Sequence, residues 1–406
     1  MTRLKNGRHL QTGGWRKRGR AVLFNALFAL ATDTVEAAPR LISYGNPNCI
    51  SCHVSVQGRG LLNSYGRGID IAQSYSKKDF TAMLLGRAGE GAEASETWDG
   101  RFNNVLADFL VTLRLSQRFD VEKTDPAIFA LYRQVIFLDK EDRFRVNTEI
   151  GFLDGGLADA PIGPHLTATG GDNIFLRKLL LEWRIEASDT SGKEVAFGRD
   201  YLPLGLQIDD HTAYILYLNR GGIYDFPLQL KYFTWDERSL ASVFLHAPSF
   251  EEASDRREYG GGFLYERYPT NKLALGLQGL VGFSDESDRL RIGPYARWGI
   301  SEKWALLAQT DYTVVWDTGS RDGQGSQVTA FLQLFYHHTE WLISSGTANY
   351  AYSDSLRAKD DLVFFRYTTA ARLNRNFTLG ISYAAGDILR NLGAGQELAV
   401  FATVKF

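Results

Sequence analysis

Cys49-Ile50-Ser51-Cys52-His53 holds the residues of this chain best spaced for chemistry, and it uses the only two cysteines in 406 residues. Two thiols separated by two residues can each form a thioether with a vinyl group of one porphyrin. A histidine directly after the second thiol is then carried beneath the iron as proximal ligand. The C-x-x-C-H spacing therefore predicts one covalent haem c on Cys49 and Cys52, with His53 on the metal. A redox dithiol of the thioredoxin type and half of a zinc site are the other uses of such a pair. Zinc wants a second ligand pair at short spacing, and a redox pair is expected beside a βαβ pattern; the sequence offers neither.

The ligand opposite His53 decides whether the iron only passes electrons or also binds a small molecule. Met83 is the only methionine after the initiator. As an axial ligand it would raise the reduction potential; otherwise it packs beside Leu84 and Leu85, as most methionines do. His165, His211, His246, His337 and His338 compete, each with a solvated surface position as its plain alternative. Asp209-Asp210-His211 sets two carboxylates beside an imidazole, a cluster suited to iron at a lumen entrance or to orienting a ligand, or equally to a turn tip. His337 and His338 are adjacent on a strand and so face opposite ways. Asn63, Tyr65 and Arg67 can reach haem propionates, Arg67 as a charge-assisted donor; their other role is to shape a tight turn with Gly66 and Gly68.

These residues need a frame, and the sequence around them supplies one. Arg3, Lys5, Arg8, Arg16, Lys17, Arg18 and Arg20 form a basic leader, followed by an apolar run from Ala21 to Ala31 and the small-residue signal Val35-Glu36-Ala37. That order predicts a secretory signal peptide over residues 1–37, with an apolar core too short to anchor in a bilayer. Export suits the motif, because bacterial haem attachment takes place outside the cytoplasm. Residues 38–104 are few and polar for an independent domain. A chain of that size commonly needs a staple, here the haem itself, or a wall to pack on.

From residue 105 onward the pattern changes to strict alternation. Ala107, Phe109, Val111 and Leu113 oppose Asp108, Thr112, Arg114 and Ser116; Phe144, Val146, Ile150 and Phe152 oppose Arg145, Asn147 and Glu149. Leu179, Leu181, Trp183 and Ile185 oppose Lys178, Glu182 and Arg184, and the same holds around Leu275, Leu277 and Val281 and around Trp304, Tyr312 and Trp316. A strand has a side-chain period of two, so each run has one apolar and one polar face. Soluble sandwiches alternate too, but these runs reach the length of a tilted membrane strand. Trp183, Trp235, Trp298, Trp304, Trp316 and Trp341 lie near run ends, as in interfacial girdles, and the chain stops on an apolar-faced run ending at Phe406. Mean hydropathy is only −0.21 despite 13% aromatic residues, which suits a barrel whose lipid face uses alternate positions. The expected fold is all-β: a transmembrane antiparallel β-barrel over residues 105–406. About seventeen candidate strands can be counted where bacterial barrels use even numbers, so sixteen is expected, with fourteen and eighteen next. The least regular stretch is 194–218, interrupted by Gly198, Pro203 and Gly205.

The formal net charge is −2, and no basic patch is interleaved with aromatics, so nucleic acid is not an expected partner. No acid–base pair or nucleophile constellation supports a classical enzyme, and the glycine-rich stretches lack a phosphate-binding context. The expected partners are outer-membrane lipid, a periplasmic electron carrier and an extracellular electron donor or acceptor.

The signal peptide, the C-x-x-C-H and then Leu62-Asn63-Ser64-Tyr65-Gly66-Arg67 ahead of a barrel resemble the fused monohaem cytochrome–porins of bacterial outer membranes. In that family a Leu-Asn-x-aromatic-Gly-Arg block follows the haem motif and a barrel completes the chain. The specific match covers Asn48 to Gly68; beyond residue 105 it is one of architecture. The resemblance implies electron transfer through one haem held in or at the mouth of the barrel, with ferrous iron as a possible extracellular donor and metal oxidation as the reaction. The alternative is a porin whose haem-bearing segment is a redox-sensitive plug.

Overall fold

The computed structural model describes residues 42, 49–54, 61–75, 101–102, 104–119, 123–155, 174–188, 191–206, 227–248, 258–284, 287–317, 324–353, 360–388 and 393–405. The leader, Met83, His165, Asp209, Asp210, His211 and Phe406 lie outside the described residues.

A two-residue strand, β1 (Arg101–Phe102), precedes sixteen long ones. They are β2 (Val105–Arg118), β3 (Lys123–Phe137), β4 (Phe144–Gly155), β5 (Ile174–Ala187), β6 (Gly192–Arg199), β7 (Leu228–Trp235), β8 (Ser239–Ala247) and β9 (Glu258–Thr270). They continue as β10 (Leu273–Ser284), β11 (Ser287–Gly299), β12 (Trp304–Asp317), β13 (Gln324–His337), β14 (Leu342–Ser353), β15 (Asp360–Asn374), β16 (Phe377–Ile388) and β17 (Gly393–Lys405). Each long strand pairs antiparallel with its chain neighbour, and Lys405 of β17 returns to Leu110 of β2, so the sheet closes. Closure removes the free edges that an open sheet would expose. Side chains reinforce this last seam: the Thr112 and Thr403 hydroxyls are 3.0 Å apart, and Arg114 pairs with Glu397.

The expected alternation is present, with its apolar side outward. Phe109, Leu113, Ile150, Leu179, Leu181, Trp183, Leu277 and Tyr312 are exposed on the outer face, whereas Asp108, Arg145, Glu149, Lys178, Glu182 and Asp311 are buried within. A soluble fold would reverse this. An apolar exterior around an ionic interior is the signature of a barrel that spans a membrane. The interior charges are matched to one another, since a buried ion without a partner costs several kcal/mol. Arg145 bonds Glu182 and lies 2.7 Å from Glu194; Arg133 reaches Asp108 at 2.8 Å; Arg291 meets Asp311 at 2.7 Å.

The two ends of the barrel differ. At one end, residues 138–143, 236–238, 271–272, 300–303, 338–341 and 375–376 make short turns, and β5 and β6 follow each other closely from Ala187 to Gly192. Asp236, for example, accepts from the backbone N–H groups of Arg238 and Ser239, each at 2.7 Å. At the opposite end the sequence intervals between successive strands are wider, as from Gly155 of β4 to Ile174 of β5 and from Arg199 of β6 to Leu228 of β7. Bacterial barrels keep their short turns in the periplasm.

Two features depart from the sequence expectation. Tyr201–Leu206 is not a strand; it turns inward after β6 and is buried. Tyr201 OH lies 3.3 Å from Glu149 on β4, and the Leu206 N–H donates to Gln309 Oε1 on β12 at 2.7 Å. The segment thus crosses the lumen. Gly205 has φ of 53°, and a Cβ there would stand 2.3 Å from the Gln309 side chain, so the crossing requires glycine. Trp235 is the second departure. It is buried inside the barrel, not placed in an outer girdle, because it joins a cluster of inward-facing apolar residues that includes Leu202, Leu204, Phe233, Tyr268, Tyr295 and Phe335.

Candidate functional site: a cysteine turn across the barrel mouth

The Cys49–Ser51 segment forms a 3-10 turn, with the Cys52 and His53 N–H groups both donating to the Cys49 carbonyl, at 3.2 and 3.0 Å. The chain then doubles back. His53 bridges Leu62, the Val54 N–H donates to the Leu61 carbonyl at 3.0 Å, and the Asn63 N–H donates to the Cys52 carbonyl at 2.9 Å. Helix α1 (Ser64–Ala72) starts immediately afterwards.

Asn63 caps that helix. Its Oδ1 accepts the Gly66 N–H at 2.8 Å, which satisfies one of the donors left open at a helix start. Its Nδ2 donates to the Ser51 carbonyl at 3.1 Å. One side chain therefore clamps the helix to the cysteine turn. Gly66 permits the close approach: a Cβ there would lie 2.1 Å from the Cys52 carbonyl oxygen. Leu62, Asn63 and Gly66 of the Leu62–Arg67 block thus pack the cysteine turn. Tyr65 is 51% exposed, and the Arg67 side chain lies outside the described residues.

The wall positions the turn. Arg297 Nη1 of β11 is 2.6 Å from Cys49 Sγ, and the same guanidinium pairs with Glu266 of β9. Arg184 Nη2 of β5 donates to the Val54 carbonyl at 2.8 Å, while Val54 and Leu61 pack on Leu106, Val135 and Phe137. Arg372 Nη1 of β15 reaches Asp70 of α1 at 3.0 Å, and the Tyr75 N–H donates to the Arg372 carbonyl at 2.8 Å. Arg297, Arg184 and Arg372 each stand within three residues of the short-turn end of their strands. They lie on well-separated sides of the ring. A segment tied to all three lies across the short-turn mouth of the barrel, inside the wall.

Cys49 is half-buried and Cys52 buried, both as free thiols. Burial, reinforced by the neighbouring Cys49, pushes the Cys52 thiol up to about 12. Thiol–disulfide exchange uses thiols with depressed values, so this environment does not suit a redox dithiol. The described residues contain no group of three or more metal-ligating side chains, so no partner set for a zinc half-site is seen among them. Two free thiols and a half-buried imidazole in one turn fit thioether attachment of a porphyrin, with His53 as the residue that would hold the metal.

The histidines of the wall behave differently from the solvated expectation. His246 and His337 are buried and inward; His246 Nε2 is 3.5 Å from Glu258 at the long-loop end. Only His337 lies on the strand: His338 opens the turn after β13, its ring 4.7 Å from that of Tyr336 and its Nε2 2.8 Å from Ser344 Oγ. Sequence reasoning missed Arg184, Glu266, Arg297 and Arg372 as anchors, because each looks like any other polar residue of a lumen face. The apolar interior left a visible trace. Phe331-Leu332-Gln333-Leu334-Phe335-Tyr336 is apolar on both faces, not on one.

No family model and no curated protein matches this chain. Solved structures do match it. A Salmonella typhi OmpF complex with daunomycin aligns with TM-score 0.56 at 11% identity, covering 75% of this chain and 99% of its own. The anion-selective porin from Comamonas acidovorans gives 0.51 at 13%, covering 74% and 99%. OmpT of Vibrio cholerae, as expressed in the outer membrane, gives 0.52 at 11%, covering 75% and 99%. The fold is that of outer-membrane porins. These three structures are matched almost end to end while about a quarter of this chain is left over, so it carries sequence beyond their length.

Proposed function

We propose that this chain is an outer-membrane porin-type channel protein whose periplasmic mouth holds a plug bearing one covalent c-type haem. The observation that carries the reading is the seating of the Cys49–His53 turn on inward-facing Arg297, beside the Arg184 anchor, at the short-turn end. The resemblance to cytochrome–porin fusions supports it from the sequence side. When bound, the haem supplies one-electron exchange at its iron. Cys49 and Cys52 hold the porphyrin, His53 holds the metal, and Asn63 with Gly66 keeps the turn packed on α1. The apolar interior formed with Phe233, Trp235, Tyr268 and Tyr295 keeps water from that part of the lumen.

A second reading is electron transfer between an extracellular donor or acceptor and a periplasmic carrier. Two observations favour it over a moving gate. The plug is tied to the wall at three separated points, and Tyr201–Leu206 crosses the lumen above it. Both obstruct solute flow and neither needs to move for an electron to pass.

Planar-bilayer conductance of the haem-loaded protein, measured oxidised and reduced, separates the two. A channel with a redox-sensitive plug conducts, and its conductance changes with the redox state. An electron relay conducts poorly in both states, and its haem is reduced from one side of a proteoliposome by donor and reoxidised by acceptor on the other. Solute flux of ordinary porin size, indifferent to redox state, would sink both.

A further inference from the structure

Cys49 is the thiol of the pair that meets a charged wall residue in the structure, and the partner is itself paired. Arg297 Nη1 is 2.6 Å from Cys49 Sγ, and the guanidinium is bound to Glu266 on the neighbouring side of the lumen. Both side chains are nearly withdrawn from solvent, at 13% and 3% exposure. Tyr268 and Tyr295 pack within the same apolar cluster, which lowers the local dielectric. A cation and an anion therefore stand beside the atom that would carry one edge of the porphyrin.

We infer that Arg297 and Glu266 are a charge-balanced pair at the haem edge, each holding in check the shift that the other alone would impose on the reduction potential; the inference rests on the haem reading above. Reduction adds one electron to ferric iron and gives ferrous iron, so the site loses one positive charge. A nearby cation favours the ferrous state and raises the potential, whereas a nearby anion favours the ferric state and lowers it. As a neutral pair the two nearly cancel, and each alone exposes the other. At an effective dielectric near 20, a unit charge within about 10 Å shifts a one-electron equilibrium by about tenfold, which is about 59 mV.

The test is spectroelectrochemical titration of the full-length, haem-loaded protein in detergent, using soluble mediators. Arg297→Gln leaves Glu266 unbalanced and lowers the potential; Glu266→Gln leaves Arg297 unbalanced and raises it. The double variant returns close to wild type. Shifts of the same sign, or none, with haem still attached would overturn the inference. If Arg297→Gln is recovered without porphyrin, Glu266→Gln decides alone, and an unchanged or lowered potential overturns it. Loss of attachment in both would make the pair scaffolding for Cys49 and overturn it as well. Haem content of the wild type is measured first: its absence sinks the haem reading, whereas its presence with same-sign shifts sinks only this step.

Discussion

Arg145 on β4 and Phe335 on β13 both point into the barrel and are both buried, yet opposite forces hold them. Around Arg145 the inward face carries linked ion pairs, Asp108 with Arg133, Glu149 with Arg177, and Asp200 with Lys178 and Lys231, while Phe233 and Trp235 of β7 already belong to the apolar cluster. Around Phe335 the inward face is aromatic and aliphatic, with Phe331, Leu307, Tyr295 and Ile343. Porin lumens are polar and wet. The ionic side follows that rule and the apolar side breaks it. The exception lies where Tyr201–Leu206 folds in, so the inward apolar residues have something to bury against. The contrast teaches that this lumen is packed on one side as a protein core is packed, a setting suited to holding a large, flat, mostly apolar group.

The largest effect should come from breaking the ionic side. Arg145→Met leaves the Glu182 and Glu194 carboxylates buried without their shared cation, and should cost about 3–5 kcal/mol. Adding Glu182→Gln should restore part of it, because that carboxylate loses its charge while Glu194 keeps Arg184 at 3.1 Å as a partner. Thermal unfolding in detergent measures both; a single variant within experimental error of wild type would mean that the pairs are not structural.

On the apolar side, truncation should scale with volume instead of charge. Leu204→Ala removes a fully buried side chain from the crossing segment, and should cost about 2–5 kcal/mol in the same melt. It should also raise conductance. Unchanged conductance would show that the crossing segment does not limit flow.

A smaller and more local effect separates the plug from its frame. Gly66→Ala drives a Cβ into the Cys52 carbonyl, an overpacking worth about 1–3 kcal/mol. It should reduce haem retention and expose residues near the turn to proteolysis while the barrel melts as before. A lowered barrel melt with normal haem content would reverse the assignment.

The smallest is the helix cap. Asn63→Ala should cost about 1 kcal/mol of plug stability. Asn63→Asp keeps the acceptor for Gly66 and loses only the donor to Ser51. Protection of the α1 amides in hydrogen exchange should therefore fall more in the alanine variant than in the aspartate one; equal losses would deny the cap.

What could be read in advance follows the physics of range. The barrel was legible because a period of two is written locally, residue by residue, as in Leu179, Leu181 and Trp183 against Lys178 and Glu182. The cysteine turn could be singled out because Cys49, Cys52 and His53 lie within five consecutive residues, which the structure folds into one turn. Trp235 was not, since an aromatic at a strand end reads alike whether it meets headgroups or a packed interior. Nor were Arg297, Arg184 and Arg372, whose partners lie far away in sequence: Cys49 is 248 positions from Arg297. The interruption at Pro203 and Gly205 marked an irregular stretch, but only the tertiary contact with Gln309 shows that it turns inward.

The account stands on the porphyrin. Intact mass and pyridine haemochrome of the chain, matured by its native host and extracted from membranes, test it most directly. The prediction is one porphyrin per chain, resistant to acidic solvent and absent from Cys49→Ala/Cys52→Ala, in which the barrel still folds. A mature wild-type chain of unmodified mass, with no haemochrome, would contradict it.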